Sequence, residues 1–258
     1  MARTADRHRS SQAAFVSLIP SAIRHAWLTL FNPHDLKGSS PRLTAATEAL
    51  VTHYGRASAA AALTYYRNER RAAGVTGPPP RLPMPQLPSH ADLTATVEHV
   101  LSPLYGPADP VAEQKAQDAL ASEVEQMVLD QSRQAIIEAS HVDKEAKGWA
   151  RVTEPDACSF CRLLATRGAV YGSEASADFR AHTKQPNGSG GTCRCHAEPV
   201  FNTYEMTAQA RQDLADYQRL AEEYGHSGRD ILIAWRQHVE GRDVTGPLTK
   251  PYTRKPRA

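Results

Sequence analysis

The run from Gly77 to Pro88, GPPPRLPMPQLP, holds six of the chain's 18 prolines, and no other feature restricts the fold as much. Proline fixes φ and has no N–H to donate, so neither a helix nor a central strand passes through such a segment. The composition predicts an extended polyproline-II linker over 77–88 that spaces a helical region at 1–76 from the remainder of the chain. A PxxP ligand for a partner domain is the sharper alternative reading.

On both sides of this run the apolar pattern is helical. Residues 11–31 read as an amphipathic helix bent or started near Pro20. A second stretch covers 41–73, where Pro41 suits a first turn and Gly55 divides the helix. There Leu43, Leu50, Val51, Tyr54, Ala61, Leu63, Tyr65 and Tyr66 supply the apolar positions, and the two tyrosines read as half-buried packing. Region 89–148 holds a short helix capped by Asp92 and ending before Gly106. Asp109 and Pro110 then open a long helix to His141, about 45 Å at 1.5 Å per residue. Its stripe of Leu120, Val124, Met127, Val128, Ala135 and Ile136 is interrupted by Gln131. An aromatic content of 7% with abundant alanine points the same way, to a mainly α protein.

Residues 149–202 change character. Short apolar pieces at Trp149–Val152, Ala169–Tyr171 and Glu198–Phe201 alternate with turn residues, predicting small strands around one short helix. Helices at 204–224 and 227–240, split by Gly225, fill region 203–246. A basic tail, 247–258, ends the sequence. The expected fold is therefore mainly α: helical N-terminal and C-terminal segments around a small α/β cysteine-rich, zinc-knuckle-like module.

Charge is unevenly placed. The total is +2, yet residues 1–75 carry a net +6 and residues 89–147 a net −7. Strong nonspecific binding of nucleic acid over the whole surface is excluded by the near-neutral total. The tail and N-terminal arm remain candidates for weak, salt-sensitive DNA contact. No run approaches the roughly 20 apolar residues of a membrane span, and no membrane partner is expected. Arg3, Arg7 and Arg9 ahead of Ala13–Ile19 imitate a secretory signal, but the apolar run is short and its helical pattern continues past Pro20.

All four cysteines lie between 158 and 195. Cys158-Ser-Phe-Cys161 is a CxxC pair and Cys193-Arg-Cys195 a CxC pair. Two paired thiols brought together by a small fold offer the soft tetrahedral donors that Zn2+ requires. His182 and His196 are spare nitrogen donors, and Cys158, Cys161 and His182 with one of Cys193 or Cys195 is an equally workable set. Buried reduced thiols, or two disulfides, are the alternatives. A thioredoxin-like role fits poorly, since CxxC there needs a βαβ context and leaves the second pair idle.

The stretch Lys147-Gly-Trp149-Ala-Arg151-Val, Asp156-Ala-Cys158-Ser-Phe-Cys161-Arg-Leu-Leu, Arg167-Gly168-Ala-Val-Tyr171, His182, and Thr192-Cys193-Arg-Cys195-His-Ala-Glu-Pro199-Val-Phe resembles the MuF-like minor capsid proteins of tailed bacteriophages. It looks closest to those of actinobacteriophages, which are often labelled capsid maturation protease. The helical pieces around Tyr65, Tyr66 and Arg70 resemble the family's N-terminal half more weakly. The resemblance implies a head-morphogenesis protein associated with portal, capsid and scaffold proteins. It would reside in the procapsid or virion head, and in host cytoplasm during assembly, with packaged DNA met through the basic tail. The sequence departs from the family in the loop Lys184–Gly191 (KQPNGSGG), which parts His182 from the CxC pair.

A protease label asks for a nucleophile and a base. No GxSxG, HExxH or other local signature is present. Asp156, Ser159 and His182 are the nearest candidates, while Cys158 or Cys161 would need a thiolate that metal ligation removes. An assembly role without catalytic residues is the expectation, and a capsid maturation peptidase the alternative.

Overall fold

A computed structural model describes residues 2–106, 109–154, 157–169, 194–225 and 228–241. The N-terminal pattern forms two helices, α1 (Ala2–Ser17) and α2 (Ile19–Leu30), parted at Leu18. Pro20 sits in the first turn of α2, where its missing N–H costs nothing. Next, α3 (Leu36–Ala72) runs 37 residues, about 55 Å.

Two sequence expectations fail in α3. Pro41 lies inside the helix, because Asp35 caps it earlier by accepting from the Gly38 N–H at 2.9 Å. Gly55 does not divide the helix; it is buried against the long helix α5 (Pro110–Val142), and a Cβ there would lie 3.0 Å from Gln131 Cγ. The glycine is present for close approach of two helices.

Helix α4 (His90–Leu101) opens with a capping box in which Ser89 is the cap and Asp92 the reciprocating third residue, so Asp92 acts one turn inside the position expected of it. A 3-10 turn, Ser102–Tyr105, comes next. Helix α5 starts as expected: the Asp109 carboxylate accepts from the Val111 N–H at 2.9 Å.

Helix α3 lies along α5, with α1, α2 and α4 packed around the pair. Ile19, Ile23, Trp27, Leu43, Val51, Leu93, Val97, Leu120 and Val124 form one buried cluster. A neighbouring cluster joins Ala62, Tyr66, Ile136, Trp149, Cys161, Cys195 and Phe201. By length and composition alone Thr4–Leu30 could cross a membrane, contrary to the reading from its sequence. In the fold its Val16, Ile19, Ile23 and Trp27 are buried.

The Pro-rich segment forms neither helix nor strand, as its prolines require. It does not hold the helices before and after it apart, since α3 and α5 pack directly. Instead it straps them: Leu82 is buried, Arg70 Nη1 donates to the Gly77 carbonyl at 2.6 Å, and Gln131 Nε2 donates to the Gln86 carbonyl at 3.1 Å. Gln131 interrupts the apolar stripe because it holds this strap.

Strands β1 (Gly148–Val152) and β2 (His196–Val200) pair antiparallel, with Trp149 opposite Pro199 and Arg151 opposite Ala197. Every residue of β1 is buried, as expected of a strand covered by α5 on one side and by the short α6 (Ser159–Ala165) on the other. Of the expected strand Ala169–Tyr171, Ala169 is a bend and the rest lies outside the described residues. Helices α7 (Ala208–Tyr224) and α8 (Arg229–Val239) clamp α6. Trp235 Nε1 donates to the Ser159 carbonyl at 2.6 Å, and Arg162 Nε donates to Asp213 Oδ2 at 3.0 Å.

Candidate functional site

Cys158 stands at the N-cap of α6, with Cys161 in its first turn. Three residues apart, the two lie on one side of the helix. Cys195 immediately precedes β2. Cys161 and Cys195 are buried in the cluster with Trp149 and Phe201, and the half-buried Cys158 packs against it. The fold thus gathers three of the four thiols around one apolar wall. The Arg151 guanidinium, itself buried, reaches Cys161 Sγ at 3.5 Å.

Among the described residues no group of three or more His, Cys, Asp or Glu is arranged to hold a metal. Cys193 and His182 lie outside the described residues, as does Asp156. The described thiols therefore have the right softness for zinc but do not make a ligand set by themselves. Ser159 opens α6, and its carbonyl is taken by Trp235.

Beside the cysteines lies a feature that nothing in the sequence announces. A cleft of about 350 Å³ opens between α1, α5 and the start of β2, lined among others by Arg9, Gln12, Ser132, Arg133, Glu154 and His196. His8 meets two of these residues: its ring stacks on Tyr65 at 4.5 Å, meets His196 edge-on at 6.4 Å, and its Nε2 lies 3.4 Å from Ser132 Oγ. Burial, helped by Arg9, pushes the His8 pKa down to about 4. Burial, then His8, Arg9 and Arg133, pushes His196 down to about 3. Both rings are neutral at pH 7. Among the described residues His8 Nδ1 is buried without a hydrogen-bond partner, so no described carboxylate orients the ring as a nucleophile–base pair with Ser132 would require. Only the fold brings residues 8, 132 and 196 together, and no periodicity marks them as neighbours.

A second buried network ties α3 to the end of α5. Asp143, just past α5, accepts from Arg70 Nε at 2.8 Å and from the Tyr66 hydroxyl at 3.2 Å. Tyr66 is fully buried and its hydroxyl also reaches the Ala139 carbonyl, so it is more than half-buried packing. Burial and Asp143 together raise its pKa.

The family of VG15 proteins matches residues 1–226. The chain belongs to that family. It is a viral protein of the phage kind, and the match spans both the helical body and the cysteine module. No curated protein and no solved structure matches it.

Proposed function

We propose that the chain is a MuF-like minor capsid protein that acts in head morphogenesis by binding. In this reading it docks with portal, capsid and scaffold proteins in the procapsid and stays in the virion head. The observation that carries it is the VG15 family match over residues 1–226, which covers as one unit the two parts whose motifs resemble minor capsid proteins. The contact of the Tyr66 and Phe201 rings, edge-on at 5.3 Å, supports it, because it joins those parts physically.

The cysteine module is proposed to hold a structural Zn2+ through Cys158, Cys161, Cys193, Cys195 or His182, and packaged DNA to meet the basic tail. Elemental analysis of the reduced protein should give about one zinc, and a chelator should loosen the module before the helices. Folded protein without zinc and indifferent to chelator would remove the metal from the reading.

The functional test is mass spectrometry of purified heads, with the gene present or deleted. Expected are copies in the head and an assembly defect without the gene. Co-expression with portal, scaffold and major capsid protein reads the alternative: cleavage of head proteins that depends on this chain would make it the peptidase.

A further inference from the structure

The outer side of α3 carries a row of exposed residues, His53, Arg56, Ala60, Thr64, Arg67 and Arg71, which recur at three and four residues and so share one face. No exposed carboxylate lies on α3 beyond Glu48, since Glu69 is buried. Helix α1 runs beside this row, and between them lies a groove of about 230 Å³ lined by Thr4, Arg7, Ser11, Thr64 and Asn68. Arg7 is exposed on its far lip. Among the described residues, none of Arg7, Arg56, Arg67 and Arg71 has an ion pair, whereas Arg9 on the other side of α1 is held by Asp6.

Basic residues at the end of a helix often do no more than complement its dipole. That accounts for Arg71 and in part Arg67. It does not account for Arg56, four turns earlier, or for Arg7 on the neighbouring helix. We propose that this α1–α3 face is a docking surface for the phosphate backbone of duplex DNA, read without sequence specificity.

Three features favour DNA over an acidic protein. Arg56 to Arg71 form a straight row about 22 Å long, which suits a stiff polyanion with a persistence length near 50 nm. The cations are all arginine, whose fork takes phosphate oxygens bidentately. Between them the groove offers the Asn68 amide as a donor, a side chain of the kind that shares phosphate contacts with arginine, while the Ser11 and Thr64 hydroxyls donate to the Arg7 and Ala60 carbonyls. The surface adds to the tail contact of the proposed function a site on the folded body, and it stands whether or not the chain is found in heads.

The test uses the full chain, tail intact, and a 30-base-pair duplex of arbitrary sequence, with affinity measured by fluorescence anisotropy across a salt series. The triple variant R7Q/R67Q/R71Q should lower the salt slope of log K by about 3, at ~0.9 for each phosphate left without its arginine. R42Q, whose arginine pairs with Asp35, should leave it unchanged. Circular dichroism checks that the triple variant folds, as substitution of exposed residues should allow. An unchanged slope in the folded triple variant, an equal loss in R42Q, no duplex binding by the wild type, or poly-aspartate competing as well as DNA at matched charge would each overturn the proposal.

Discussion

Asp143 carries more of the structure than its place at a helix end suggests. Its side chain is 3% exposed and that of Arg70 is 7% exposed, so water screens neither charge. Removing one partner of such a pair leaves the other charge buried and uncompensated, typically at about 3–5 kcal/mol. Asp143→Ala should lower stability to urea by about that amount and release the Tyr66 hydroxyl. Arg70→Met/Asp143→Leu should lose much less. If Asp143→Ala is as stable as wild type, the network does not hold α3 to the end of α5. The motif resemblance touched Tyr66 and Arg70, but it could not supply Asp143, which lies over 70 residues away and meets them only in the fold.

At the scale of elements, the same long-range character explains which expectations held. The cap of α5 and the break at Pro20 depend on neighbours in sequence, and there local chemistry sufficed: Asp109 caps as its type predicts, and Pro20 starts a helix. Gly55 misled because it looks like a flaw in its own helix, and Gln131 reads as a gap in its stripe with nothing local to say what it meets. Together they are a contact, a glycine that admits the side chain which anchors the strap at Gln86. Gly55→Ala adds helix propensity worth about 1 kcal/mol but crowds Gln131. The larger Gly55→Val should cost about 1–3 kcal/mol by overpacking, and Gln131→Ala in that background should recover part of it. Equal stability of Gly55→Val and wild type in urea would show that the helices do not need this approach. The cysteine cluster was legible as a cluster because its spacing is local. The cleft beside it, lined by residues 9, 132 and 196, was not.

On the scale of the whole molecule, the seating of α1 depends on two neutral histidines. Gln12 and Ser58 fasten the helix to α3 through two hydrogen bonds, 3.2 and 2.6 Å, and His8 lies inside that seat between Tyr65 and His196. Arg9 and Arg133 disfavour a proton on His196, and Arg9 one on His8; Glu154 stands 3.9 Å from His196 Nδ1 without reversing that balance. The folded pKa values, about 4 and about 3, lie below the unfolded value near 6.5. Their stability contribution is therefore complete above pH 6.5 and is lost as pH falls toward 4, where the unfolded chain binds protons that the fold refuses. Burial raises the carboxyls of Glu69 and Glu198, and these act in the opposite sense, making the fall shallower. Urea unfolding between pH 7 and 4.5 should show stability dropping by up to about 1.4 kcal/mol per pH unit for each histidine. His8→Gln and His196→Gln should each remove about half of that dependence while leaving the glutamates' share in place. A wild-type profile no steeper than that of the double variant would mean that the two rings are protonated without disturbing the seat of α1.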